Sequence, residues 1–284
     1  TFKTAALLRP IIYKSSIPSA QVKSCLLLAS LFIDGESVIS EDIKTRDHTE
    51  RLLEYLDYPF KVNGNAIIIE GNGILNAKNI DVPSDISSAA FFIIAALITP
   101  ESDITLMNIG TNPLRTGILD VLNKMGADIK IINTHHMSNE PVSDIRVKYS
   151  KLNPINISGE IISRLIDELP ILFIACASCD GTSTINDIKE LRYKESDRIF
   201  SMETGLRKLG IEVTSTDNAI SIVGGSFNGG IVDSFSDHRI AMSFLIAGLV
   251  SKKPITVRDT ENINTSFPNF IDILREQSID IYKI

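Results

Sequence analysis

Four short segments gather residue types that can bind anions and move protons, and each stands where a helix is expected to begin. Leu191 to Arg198 sets the cations Arg192, Lys194 and Arg198 among the carboxylates of Glu195 and Asp197. On a helix starting near Lys194, Lys194 and Arg198 share one face. The segment reads either as a capped helix start with a surface Glu195/Arg198 pair, or as an anion clamp. In the clamp, Lys194 meets a phosphate or carboxylate and Arg198 grips a carboxylate in a fork. Asp167 and Glu168 stand at the mouth of the apolar run Ile171 to Ser178. Asp167 could cap that helix or act as a proton-transfer group. Arg239, in Ser236-Asp237-His238-Arg239, precedes Ile, Ala, Met and Phe, an unusual place for a guanidinium unless something anionic needs it. His238 has no second histidine at ligand spacing and reads as a hydrogen-bonded structural residue rather than a metal ligand. Pro18-Ser19-Ala20-Gln21 and Thr45-Arg46-Asp47-His48-Thr49-Glu50 supply small donors and a cation. Thr45 or Asp47 could equally be a simple cap, with Glu50 completing a box.

Helix starts suit such residues because free backbone N–H groups and the helix dipole favour anions there. The elements that must place them recur along the chain. Apolar helices are expected at Ser24 to Ile33, Ala89 to Ile98, Ile171 to Ser178 and Ala241 to Val250. Short β-branched strands follow at Ser37 to Ser40, Asp103 to Asn108, Thr182 to Asn186 and Pro254 to Arg258. Second helices start near Asp47, Leu114, Glu195 and Phe267, and all but the last lead into a further pair of strands. This period is too long for a solenoid and fits βαβαββ modules packed as α/β domains. The fourth copy stops after its second helix, and Thr1 falls in the middle of a unit, so strands from elsewhere in a parent chain are expected to complete the set. The polar, proline-containing stretch Asn79 to Asp85 suggests a domain crossing near Val82, giving residues 1–82 and 83–284.

With 284 residues, 44% of them hydrophobic, the chain has ample apolar surface for one large or two modest domains. Its longest apolar stretches, Cys25 to Ile33, Phe91 to Ile98 and Ile171 to Cys179, are half of what spans a bilayer and read as buried helices. No signal-like segment opens the sequence, and a cytoplasmic location is expected. The net charge of −7 argues against an extended nucleic-acid surface. Cys25, Cys176 and Cys179 all lie in apolar runs and read as small hydrophobes, not as a disulfide or metal framework. No Walker loop, GxGxxG or metal-spaced cluster occurs.

Taken in order, Ser19-Ala20-Gln21-Val22-Lys23-Ser24, Arg46 to Glu50, Asp85-Ile86-Ser87-Ser88-Ala89, Ile166-Asp167-Glu168, Leu191 to Arg198 and Asp237-His238-Arg239 resemble the signature stretches of the EPSP synthase family, in its bacterial Ser-Ala-Gln branch. The resemblance runs the length of the chain. It implies an enolpyruvyl transferase-like, inside-out α/β barrel of βαβαββ units in two domains, incomplete here. It implies transfer of the enolpyruvyl group from phosphoenolpyruvate to the 5-hydroxyl of shikimate 3-phosphate, with no metal or organic cofactor, by a monomer without nucleic-acid or membrane partners. Carried onto this sequence, Ser19, Gln21, Arg46, Asp167 and Lys194 would bind shikimate 3-phosphate. Gln21, Arg198 and Arg239 would bind phosphoenolpyruvate, and Asp167 and Glu195 would be the acid/base pair.

Two departures stand out. Many relatives carry a lysine near the C-terminal Ser-Phe-Pro, where this chain reads Asn264-Thr265-Ser266-Phe267-Pro268. The family's N-terminal Lys-Ser-Arg segment and Gly-rich loop are not in the sequence, so these residues alone are expected to be inactive. Two rival readings remain: the sister family acting on UDP-N-acetylglucosamine, and a non-catalytic remnant that binds an anionic metabolite.

Overall fold

The computed structural model describes residues 8–16 and 19–282. Pro18 and Thr1, both invoked above, lie outside them. The chain divides into two compact units. The first takes the described residues up to Pro83 together with Gly110–Arg115 and Thr134–Val142; the second takes Ser84–Ile109, Thr116–Asn133 and the residues from Ser143 on.

In the first unit the order is β1 (Ile12–Ser15), α1 (Ala20–Ser30), β2 (Glu36–Glu41), α2 (His48–Tyr55), β3 (Phe60–Asn63) and β4 (Ala66–Glu70). The sheet runs β1-β2-β4-β3, with β1 parallel to β2 and the other pairs antiparallel. Side chains alternate between the faces of a strand, so Ile39, Ile67 and Ile69 point inward together against Leu27, Leu31, Leu53 and Tyr58.

The second unit holds α3 (Ile86–Ile98), α4 (Gly117–Lys124), β8 (Asn156–Ile157) and most of β5 (Asp103–Gly110), β6 (Asp128–Met137) and β7 (Glu140–Lys148), whose residues 110, 134–137 and 140–142 belong to the first unit. It continues through α5 (Leu169–Ala177), β9 (Thr182–Asn186), α6 (Arg198–Lys208), β10 (Glu212–Ser215), β11 (Ala219–Val223), β12 (Gly230–Asp233), α7 (His238–Ala247), β13 (Ile255–Arg258), α8 (Ile263–Ser266) and α9 (Phe270–Glu276). Its sheet β8-β9-β11-β10 repeats the order and strand directions of β1-β2-β4-β3. β12 and β13 repeat only the opening parallel pair, and a single parallel bridge between Ser84 and Ile109 does the same ahead of the sheet β5-β7-β6.

Each copy thus opens with a short parallel strand that the sequence reading did not identify. β8 has two residues and β1 is largely exposed, so neither carries an apolar alternation to read. The apolar helices α3, α5 and α7 pack against one another and are buried almost all round. A helix apolar on every side is stable only in that setting.

α1 departs from the expectation of a buried helix. It buries one face through Lys23, Leu27 and Ser30, while Val22 and Leu28, and Phe32 just beyond it, are exposed, and so is the Cys25 thiol. Its buried face meets β2, β4 and, through Lys23 and Ser24, the start of α2, whereas α3, α5 and α7 cover each other. Among the described residues no helix is long and apolar enough to cross a membrane.

Candidate active site

In the second unit the polar segments converge at three helix starts. Ile166–Glu168 forms a single 3-10 turn ahead of α5, and the residue capping α5 is Glu168, whose side chain makes no capping bond. Asp167 is therefore not the cap that its position suggested. Its carboxylate oxygen Oδ1 lies 3.7 Å from Lys194 Nζ and 3.8 Å from an Arg198 terminal nitrogen, NH1. Its backbone carbonyl accepts a 2.9 Å hydrogen bond from Arg239.

The Leu191 to Arg198 segment is likewise not one helix from Lys194. Lys189–Tyr193 makes a 3-10 turn, Lys194 is extended, and α6 begins at Arg198, with Asp197 capping it through the Phe200 amide. Lys194 and Arg198 therefore approach Asp167 from two different backbone conformations, not from one helix face. The surface-pair reading of Glu195 and Arg198 fails too, because the Arg198 side chain is only 1% exposed.

Arg198 organises the cluster. Its Nε donates to Asp237 Oδ2 at 2.8 Å and its NH2 to Glu195 Oε2 at 2.5 Å, while NH1 is buried with no hydrogen-bond partner among the described residues. An orphaned buried guanidinium nitrogen is costly and marks a place where an acceptor would be stabilising. Asp237 caps α7 through the Arg239 amide and also accepts from Ser196 Oγ at 3.1 Å. Burial alone would raise the Asp237 pKa, but the Arg198 charge and hydrogen bond, then those from Arg239 and Ser196, outweigh it and hold it below the usual carboxylate value. The His238 ring is half-buried, and burial followed by the Arg239 charge lowers its pKa. No described residue hydrogen-bonds that ring, which corrects the expectation of a hydrogen-bonded histidine. Arg192 turns away to Asp197 and to the carbonyls of Thr216 and Asp217, bracing the segment.

In the first unit Ser19 caps α1, its Oγ accepting from the Val22 amide, and Gln21 is exposed in the first turn. Arg46 sits in the loop before α2. Asp47 occupies the cap position of α2 but makes no capping bond; its carboxylate accepts from Arg51 and Asn112 instead. The capping box does not form, because Glu50 turns inward to Lys23 and the Thr45 hydroxyl donates to Glu41.

A family model described as EPSP synthase (3-phosphoshikimate 1-carboxyvinyltransferase) matches residues 3–274. The chain belongs to the EPSP synthase family. A 3-phosphoshikimate 1-carboxyvinyltransferase of Methylococcus capsulatus is 49% identical over 274 residues, covering 96% of this chain and 63% of the relative. One from Legionella pneumophila is 48% identical over 264 residues, covering 93% of this chain and 61% of the relative. A solved EPSP synthase from Acinetobacter baumannii superposes with a TM-score of 0.89 at 45% identity, over 95% of this chain and 63% of that one. NikO of Streptomyces tendae, an enolpyruvyl transferase, matches with a TM-score of 0.78 at 16% identity, over 98% of this chain and 66% of that one, and so shares the fold. The chain spans a little under two thirds of the length of these curated relatives.

Within this EPSP synthase family member, three polar features escaped the sequence reading. Lys23, Glu41 and Glu50 form a buried ionic cluster. The Ser87 hydroxyl meets the buried Glu168 carboxylate beside Asp167. Asp237 is the counter-ion of Arg198 as well as a cap. Only the first left a signal: Lys23, Leu27 and Ser30 fall at helical spacing, which turns a lysine inward.

Proposed function

We propose that this chain serves the EPSP synthase reaction: transfer of the enolpyruvyl group of phosphoenolpyruvate to the 5-hydroxyl of shikimate 3-phosphate, giving 5-enolpyruvylshikimate 3-phosphate and phosphate. The observation that carries the reading is Asp167, whose carboxylate oxygen lies within 4.0 Å of both the Lys194 ammonium and the Arg198 guanidinium. The reaction needs a proton taken from a hydroxyl and one delivered to a methylene carbon, with phosphate leaving. A carboxylate among fixed cations suits both needs.

Asp167 then moves the proton and binds the substrate hydroxyls, with Lys194 on the same substrate and Glu195 as the second acid/base group. Arg198, through its orphaned nitrogen, and Arg239 hold phosphoenolpyruvate. Ser19, Gln21 and Arg46 take the shikimate phosphate and ring, Gln21 also serving phosphoenolpyruvate. The resemblance also supports a cytoplasmic monomer.

The test is thermal denaturation with shikimate 3-phosphate, with shikimate and with UDP-N-acetylglucosamine. A ligand at a hundred times its Kd stabilises the native state by about 2.7 kcal/mol. A rise in Tm with shikimate 3-phosphate, and none with the nucleotide sugar, is expected. A rise with UDP-N-acetylglucosamine alone would move the assignment to the sister reaction.

A further inference from the structure

Lys23 lies on α1 one turn beyond Ser19, to whose carbonyl its amide donates at 3.1 Å. Its side chain is 3% exposed, and Nζ meets Glu41 Oε1 at 2.9 Å, Glu50 Oε1 at 2.8 Å and the Thr45 carbonyl at 3.3 Å. These acceptors come from the end of β2, from the start of α2 and from the loop joining them. An ammonium has three protons, and all are taken. Glu41 in turn accepts the Thr45 amide at 3.0 Å and the Thr45 hydroxyl at 2.6 Å. Thr49, beside Glu50, adds a 2.7 Å hydroxyl bond to Ser24 of α1.

The cluster is a poor device for stability. Two carboxylates share one buried cation, and Glu50 Oε2 is buried with no hydrogen-bond partner among the described residues. Apolar residues of similar volume commonly replace such groups at no loss. Apolar contact is also non-directional. Three directed bonds to three elements, by contrast, fix where α1 starts relative to the loop.

We propose that Lys23 is the positioning residue of the anion-binding group in the first unit, holding the Ser19–Gln21 turn and the Arg46 loop in one arrangement. The chain of contacts is short. Ser19 and Gln21 sit on the turn that Lys23 closes, and Thr45, which Lys23 and Glu41 tie down at three atoms, is bonded to Arg46. The assignment rests on the reading that these residues take the shikimate phosphate. It makes Lys23 responsible for phosphate recognition without touching the phosphate.

The experiment pairs Lys23→Met with the milder Thr45→Val in this chain. Two readouts are needed: hydrogen exchange of residues 42–47, and calorimetric affinity for shikimate 3-phosphate beside unphosphorylated shikimate. Lys23→Met is expected to speed exchange of the loop and to weaken shikimate 3-phosphate by about tenfold or more, with shikimate nearly unchanged. Thr45→Val, which loses only the hydroxyl bond to Glu41, is expected to cost about threefold, and it carries the test if Lys23→Met does not fold. Exchange in β4 should stay at the parent rate in both. Parent-like loop exchange, or equal loss of both ligands, overturns the proposal. If the parent binds no shikimate 3-phosphate, the functional reading fails, and loop exchange alone decides the role of Lys23.

Discussion

Arg198 Nε lies 2.8 Å from Asp237 Oδ2, with the two side chains 1% and 0% exposed, so the starts of α6 and α7 are joined by an ion pair buried on both sides. The same carboxylate caps α7 through the Arg239 amide, which places Arg198 and Arg239 with one group.

Removing one partner of such a pair leaves a buried charge alone, at a cost of about 3–5 kcal/mol. Asp237→Asn is expected to lose stability on that scale in urea denaturation. The effect carries a pH signature. The folded pKa of Asp237 lies below 3.8, so its contribution is full above that value and is lost as pH falls through the folded pKa. The parent should therefore lose stability more steeply than Asp237→Asn below about pH 4. Parallel curves would count against the pair.

His238 titrates in the opposite chemical sense with the same outcome. Its folded pKa is lowered below 6.5, first by burial and then by Arg239, so the folded state favours the neutral ring. Its stabilising contribution is complete above pH 6.5 and is lost as pH falls toward the folded value. NMR should place its midpoint below 6.5, and His238→Asn should flatten stability over that interval. A midpoint at or above 6.5 would contradict the account.

Gly205 sets the crossing of α6 and α7. A Cβ there would sit 2.1 Å from Cζ of the fully buried Phe244 ring. Gly205→Ala is expected to cost about 1–3 kcal/mol through overpacking, and Phe244→Leu should recover part of it. Because α6 opens with Arg198 and α7 carries Arg239, the variant should also weaken phosphoenolpyruvate binding. An unchanged unfolding midpoint would show that the helices separate freely.

The thiols separate by environment. Cys25 is exposed, whereas burial pushes Cys176 up to about 12 and Cys179 up to about 11. A thiolate reagent at pH 8 should label one cysteine quickly in the native chain and three in urea. Fast labelling of Cys176 would mean that α5 opens.

The repeat was legible because α3 and α5 are apolar on all sides and the strands after them are β-branched, which are signals of period and composition. The opening strands were not, since two-residue β8 and exposed β1 owe their pairing to the neighbouring strand rather than to their own side chains. At the site, residue types were legible but local geometry was not. Asp167 and Asp197 both precede helices, yet only Asp197 caps one. Asp167 sits in a 3-10 turn and faces cations supplied by residues about thirty positions later, a partnership that no local propensity encodes. Lys23 was passed over because a lysine in a helix is ordinarily solvated; its burial depends on carboxylates from β2 and α2.

Asp167 and Lys194 are assigned to one substrate site, and calorimetric titration with shikimate 3-phosphate puts that assignment to the test. The parent should bind, and both Asp167→Ala and Lys194→Ala should weaken binding by about tenfold or more while remaining folded. Unchanged affinity in both folded variants, or no binding by a folded parent, would contradict it.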